Sequence, residues 1–383
     1  MALDLVGFGV VFPLLPIYSE RFGASPAVAT LLITSFSAAQ LVCAPLWGRL
    51  SDRVGRKPIL LLSLVGTCIG SLVTGLAGAL WVLFLGRVID GISGASISVA
   101  QASVTDLAPP SQRARLLGLL GAAFGVGFVA GPALGALAAL RGPHVPFLVA
   151  SVLAGVNAIV AWRRLPETHV DRVAASAGRR RDRPSLLSGA GSVADLLVLT
   201  FVAMAAFAAF EATFSLFGKA RLEFGEVSTG VVFAGVGILL SLVQGGLVHP
   251  VVSRIGEAGA LRLGLLLNAF GLLLLAGVES YALLVPSLAL LTIGQGLASP
   301  SLSATLAGRT TPSARGRLLG LQQSSSGLAR VVGPAAGGLL FEHVGVASPY
   351  LAGAALMAVA ALVLVRGGRE GIGGTPRNLV TVE

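Results

Sequence analysis

The sequence predicts an all-α membrane protein of twelve transmembrane helices in two similar six-helix bundles, and three observations carry the prediction. Apolar runs of bilayer length recur along the whole chain, the loops between them alternate in basic charge, and two segments of the first half return at the same spacing in the second. Of the 383 residues, 55% are hydrophobic and 11% charged, with a mean hydropathy of +0.88. Charged residues make up about 25% of a soluble domain. A helix needs about 20 apolar residues to cross the hydrocarbon core.

The first half supplies such runs at residues 2–19, 26–47, 58–76, 80–104, 116–140 and 145–162. The opening run carries Asp4 at its start and lacks a basic leader, so it reads as a first span rather than a cleaved signal. An arginine-rich stretch follows, with Arg179, Arg180, Arg181 and Arg183. The second half supplies runs at residues 193–217, 229–248, 260–278, 281–304, 318–340 and 347–365. The expected division is a bundle at 1–164, a cytoplasmic linker at 165–192, a second bundle at 193–366 and a cytoplasmic tail at 367–383. Glycine and proline inside these runs are no objection, since membrane helices tolerate both.

Loop charge sets the expected orientation. Even-numbered loops and the tail hold Arg49, Arg53, Arg56, Lys57, Arg113, Arg115, Arg254, Arg262, Arg309, Arg315, Arg317, Arg366, Arg369, Arg377 and the linker arginines, whereas odd-numbered loops hold only Arg21, Arg141, Lys219 and Arg221. Basic loops stay on the cytoplasmic side, so both termini are expected there, in a multi-pass protein of the plasma or inner membrane. This placement also accounts for the net charge of +10 without nucleic acid, for which no basic, aromatic-interleaved segment exists. Cys43 and Cys68 fall inside apolar runs without metal-like spacing, so neither a disulfide nor a zinc site is expected.

The internal repeat joins the halves. Pro110-Ser-Gln-Arg-Ala-Arg-Leu-Leu-Gly118 returns as Pro312-Ser-Ala-Arg-Gly-Arg-Leu-Leu-Gly320, and Gly131-Pro-Ala-Leu-Gly135 as Gly333-Pro-Ala-Ala-Gly337. A fainter echo links Asp52-Arg-Val-Gly55 to Ser253-Arg-Ile-Gly256. Duplicated halves place a binding site between them near the midplane, where rocking exposes it to either side.

The connection after the second run reads Gly48-Arg-Leu-Ser-Asp-Arg-Val-Gly-Arg-Lys-Pro58. Gly48 and Gly55 suit a tight turn and close helix approach. Asp52 and Arg53, with Arg56 and Lys57 beside them, suit charge-assisted bonds that lock neighbouring helix ends. A merely basic loop would not need the acid or the glycines at these spacings. In the fourth run Arg87 and Asp90 stand three residues apart on one helical face. In the fifth, Gly118, Gly127, Gly131, Pro132 and Gly135 allow close packing and a bend, with Ala136 after them. These motifs resemble the major facilitator superfamily, whose signature between helices 2 and 3 has the form found here and whose antiporter motif the fifth run matches except at Ala136. The first run, from Asp4 through Pro13 and Pro16, resembles the twelve-span drug:proton antiporters that export tetracycline and other drugs.

The resemblance implies alternating access and export of hydrophobic or cationic compounds driven by inward proton flow, with small-molecule substrate, protons and lipid as partners and a monomer as the working unit. It also implies a proton-transfer role for Arg87, against which stands a structural ion pair with Asp90. Asp4 is the first candidate for the coupling site, because a carboxylate among apolar helices is costly in its charged form and so exchanges a proton readily. An interfacial, solvated acid is the alternative. Glu211, a lone acid in the seventh run, and Arg330, in the eleventh, are functional candidates by default. Gln101, Gln244 and Gln322 are candidates for hydrogen bonding to substrate, although such amides also bond between helices. No Walker motif, metal cluster or paired nucleophile and base occurs in the sequence, so neither an enzyme nor a cofactor is expected. Proton-coupled uptake of a metabolite, or a transport-dead receptor or scaffold, would be the competing functions.

Overall fold

The computed structural model describes residues 2–94, 96–107, 110–165, 190–308 and 315–367. Most of the linker and the tail therefore lie outside the described residues. Among the described residues all regular structure is helical. Eight of the predicted runs are each one helix: α3 (Pro26–Val54), α4 (Arg56–Gly75), α7 (Pro110–Ala139), α8 (Val145–Arg164), α9 (Ala190–Leu222), α12 (Tyr281–Gly308), α13 (Arg315–His343) and α14 (Ser348–Gly367). Six helical stretches are long and apolar enough to cross a membrane, with shorter apolar helices at Ala2–Val11, Gly125–Ala139 and Ser348–Leu364. Outward-facing Trp81, Leu140 and Val285 are each about two-thirds exposed, at 69%, 68% and 67%. Such apolar surface suits contact with lipid rather than water.

The other runs are interrupted. The first is split into α1 (Ala2–Val11) and α2 (Leu15–Glu20), because Pro13 has no N–H to donate and disfavours helix in the residue before it. The fourth is split into α5 (Leu80–Ile92) and α6 (Ser96–Leu107). The eighth and ninth join through α10 (Glu226–Leu242), a π turn (Val243–Leu247) and α11 (Val248–Ala276), which kinks at Gly256 with φ 72°. Gly55 has φ 111°, so the faint sequence echo is the same backbone device used twice: a left-handed residue that only glycine adopts cheaply. Asp52 at the end of α3 pairs with Arg56 at the start of α4 at 2.8 Å, tying the two helices across Gly55. Arg53 is exposed. Gly48 departs from expectation, since a Cβ there would meet nothing within 4 Å and no close approach depends on it.

The described chain forms two compact units. The first comprises Met1–Arg183, Ala208–Ile238 and Gly327–Pro349, and so takes in parts of α9, α10 and α13. Its core gathers Val6, Val10, Leu15, Tyr18, Leu32, Leu83 and Phe147. Within it α1 and α7 touch backbone to backbone. A Cβ on Gly127 would lie 2.6 Å from Leu5 Cβ, and one on Gly131 would lie 2.6 Å from Gly9 Cα. On another side of α7, Gly230 of α10 would place a Cβ 2.7 Å from that of Ala136. The departure from the antiporter motif thus has a partner: the methyl on α7 faces a glycine on α10. At the far end of this unit Arg21 pairs with Glu226 at 2.9 Å, Glu20 pairs with Lys219, and Ala27 N–H donates to Glu342 at 2.8 Å. Exposed pairs of this kind contribute about 0–1 kcal/mol each, so apolar packing carries the contact.

The second unit comprises Pro184–Phe207, Leu239–Ser326 and Tyr350–Glu383. Its axis is the α11–α12 pair, where Gly264, Gly271 and Gly294 would each place a Cβ within 2.6–2.7 Å of a backbone nitrogen on the facing helix. Asn268, 1% exposed, donates to Gly264 carbonyl of its own helix at 3.2 Å.

Candidate functional site

A cavity in the first unit, about 1290 Å³ counted out to its open mouth, collects five charged residues of the apolar spans: Asp4, Arg87, Asp90, Glu211 and Arg330. Helical spacing explains its walls. Asp4 and Phe8 share a face of α1, with Phe12 continuing the stripe; Ile33, Phe36, Ser37 and Gln40 share one of α3; Thr67 and Ser71 share one of α4. Helix α5 adds Arg87 and Asp90, α6 adds Ser96, α9 adds Ala208 and Glu211, and α13 adds Arg330 and Pro334. Close contacts of Gly127, Gly131 and Gly135 on α7 hold α1, the helix that carries Asp4, against α7.

The charged groups stand in different states of engagement. Arg87 Nη1 lies 3.1 Å from Asp90 Oδ2, with the side chains only 4% and 10% exposed. Arg87 also donates to Thr74 Oγ1 at 3.4 Å and stands over the Phe36 ring at 5.9 Å, and Asp90 accepts from Thr67. Asp4 accepts from Ser96 Oγ at 2.5 Å, a bond to a neutral hydroxyl. Glu211 feels the charge of Arg330, which is exposed to the cavity.

The structure therefore brings Asp4, Arg87, Asp90, Glu211 and Arg330 to one cavity. Of the amides, Gln101 of the same unit lies outside this lining. Gln101 is exposed on α6, Gln244 is exposed in the π turn of the second unit, and Gln322 donates to Ser303 at 2.9 Å in that unit. Sequence reasoning passed over Gln40, Thr67, Ser71 and the aromatic stripe. The stripe was visible as Asp4, Phe8 and Phe12, each four residues apart.

Because the Arg87–Asp90 pair is buried, removing one partner strands the other. Asp90→Asn is expected to lower stability by about 3–5 kcal/mol, read as a fall in the thermal midpoint of the detergent-solubilised protein. Arg87→Met combined with Asp90→Leu is expected to recover much of that loss. A double variant less stable than the sum of the single variants would contradict a structural pair.

Comparison with known proteins agrees with this architecture. A family model described as Major Facilitator Superfamily matches residues 1–263 and again 246–378. The chain is similar to the class B tetracycline resistance protein of Escherichia coli, 32% identical over 347 residues that cover 89% of this chain and 86% of that one. Among solved structures, it is similar to the human organic anion transporter MFSD10 (TETRAN), with TM-score 0.72, 26% identity and coverage of 95% and 96%. The fold is also that of a bacterial homologue of the human lysosomal transporter Spinster, with TM-score 0.76, 16% identity and coverage of 98% and 96%.

Proposed function

We propose that this chain, which belongs to the Major Facilitator Superfamily, is a proton-coupled exporter of drug-like small molecules. Its class is plain: it is a multi-pass membrane transporter and not an enzyme. The observation that carries the export reading is Asp4, a carboxylate beside the aromatic wall of the cavity whose hydrogen-bond partner is the neutral Ser96 hydroxyl. Asp90 has Arg87 at salt-bridge distance. Asp4 is instead open to exchange: a proton or a cationic group of the substrate neutralises it, and binding of one weakens binding of the other. Competition of this kind, with the cavity opening alternately to each side, converts inward proton flow into outward substrate flow. Phe8, Phe12 and Phe36 offer the flat apolar surface that a polycyclic compound needs.

The tetracycline resistance relative supports efflux of a tetracycline-type or other hydrophobic compound. A second reading, transport of an organic anion, is favoured by Arg330, whose guanidinium is exposed to the cavity, and by the MFSD10 likeness. Both readings place the termini in the cytoplasm and the protein in the cell membrane as a monomer. Accumulation of a compound panel in cells expressing the chain, against cells expressing none, tests the proposal. Export predicts lower accumulation of cationic or zwitterionic tetracycline-type compounds. Higher accumulation of any panel member would mean uptake, selective loss of anions from the cell would favour the second reading, and no flux of any compound would leave a receptor.

A further inference from the structure

The fourth apolar run breaks between α5 and α6, and side chains from two other helices furnish partners for the break. Carbonyls at a helix C-terminus lack donors within their own helix, and in an apolar setting unmet carbonyls are costly. Here three consecutive carbonyls are each met. Ile92 accepts from Trp47 Nε1 at 2.5 Å, Ser93 accepts from Ser63 Oγ, and Gly94 accepts from Gln40 Nε2 at 3.1 Å. Gln40 and Trp47 come from α3, and Ser63 comes from α4. The α5 side of the break is also clamped by close backbone contacts. A Cβ on Gly70 would lie 2.8 Å from Asp90 N, and one on Gly91 would lie 2.4 Å from the Phe36 carbonyl oxygen.

The α6 side is held differently. Ser96, the first residue of α6, gives its hydroxyl proton to Asp4 at 2.5 Å. One turn on, Val99 and Ala100 pack with Ile59, Leu60 and Trp47, an apolar contact that tolerates sliding. Trp47 therefore serves both sides of the break, its indole N–H on the last residue of α5 and its ring packed against the cluster that holds Val99 and Ala100 of α6.

We infer that the Ser93–Gly94 joint is a hinge and that Ser96 is a positioning residue through which the ionised Asp4 carboxylate holds α6 in register. The inference rests on the reading of Asp4 as proton carrier. A hydrogen bond to a charged acceptor is roughly twice as strong as one to a neutral acceptor, so a proton arriving at Asp4 loosens α6. Helix α5 stays clamped, and its final carbonyls keep their side-chain partners while α6 moves. Protonation thereby becomes displacement of one half-helix. Among the described residues, the charged groups facing Asp4 across the cavity are Arg87 and Asp90 on α5, Glu211 on α9 and Arg330 on α13. The faces that α3, α4, α7 and α8 turn to the cavity are neutral, as at Gln40, Thr67, Phe128 and Ala154.

The test is a spin-label distance between Leu85→Cys in α5 and Gln101→Cys in α6, in purified full-length chain with Cys43 and Cys68 replaced by Ala. In the parent, the separation is expected to differ between acidic and alkaline buffer. Asp4→Asn is expected to give the acidic distribution in both buffers. Ser96→Ala is expected to move the ratio of the two populations in alkaline buffer about tenfold toward the acidic one, and Ser96→Thr, which keeps the hydroxyl, to restore the parent's response. A separation in Ser96→Ala that matches the parent in both buffers, or a Ser96→Thr variant that behaves as Ser96→Ala, would overturn the inference. Failure of the underlying reading has a different signature: Asp4→Asn would still drive substrate with protons, whatever α6 does. A pH-insensitive parent whose Asp4→Asn variant is uncoupled would remove the hinge alone.

Discussion

Asp4→Asn is expected to abolish proton-driven export while leaving the protein folded and able to exchange substrate across the membrane. The amide has the shape of the carboxylate, and its oxygen still accepts from the Ser96 hydroxyl that meets Asp4 at 2.5 Å, but as a neutral acceptor it holds α6 only as weakly as the protonated acid does. The amide cannot give up a proton, so the site has one charge state, and a site with one charge state cannot make a proton and a substrate compete. Driven flux should fall to the background of cells without the protein, whereas exchange of labelled for unlabelled substrate at equal concentrations should persist. The parent's driven flux should respond to the proton gradient and the variant's should not. Full gradient-driven transport by Asp4→Asn would move the coupling site to another acid of the cavity, Glu211 before Asp90, because Asp90 is bound to Arg87 at 3.1 Å.

Gly131→Leu should have an effect of similar size by a different route. A Cβ at this position would lie 2.6 Å from Gly9 Cα and 2.8 Å from the Val6 carbonyl oxygen. Both are backbone atoms of α1, so no side chain can turn aside and the helices must separate. Overpacking of this kind costs about 1–3 kcal/mol for added methylenes in a core, and here the displaced helix carries Asp4. Loss of transport should accompany a lower thermal midpoint. Gly48→Ala is the matched control in the signature loop region, because a Cβ there meets nothing within 4 Å and alanine in a helix interior is favoured over glycine by about 0.5–1 kcal/mol. Unchanged stability and transport in Gly131→Leu would show that the α1–α7 contact does not set the position of the acid.

The different reach of these two glycines shows what was legible in the sequence. Gly48 and Gly55 stand in one motif and look equivalent there, yet only Gly55 takes a positive φ, at 111°; spacing reveals that a motif is present but not which of its glycines bears the strain. Its echo at Gly256 was readable as a repeat, and the backbone repeats with it. The helical runs themselves were legible because bilayer length is a property of composition. The break between α5 and α6 was not. A run of apolar residues reads the same whether its helix is continuous or jointed, and the groups that make the joint tolerable, Gln40, Trp47 and Ser63, lie far away in sequence. Among the site residues, the five charged ones stood out because charge in an apolar run is rare. Amides give no such contrast: Gln40 lines the cavity, whereas Gln101 on α6 is exposed outside its lining, and only packing distinguishes them.

Proton coupling is the central claim, and everted membrane vesicles test it most directly. With their interior acidified by respiration and a pH-sensitive dye reporting the gradient, addition of an exported compound should let protons out as the compound enters, with no such response in vesicles that carry Asp4→Asn. A gradient that stays unchanged or deepens when the compound is added, while the compound itself is seen to cross, would contradict the exchange.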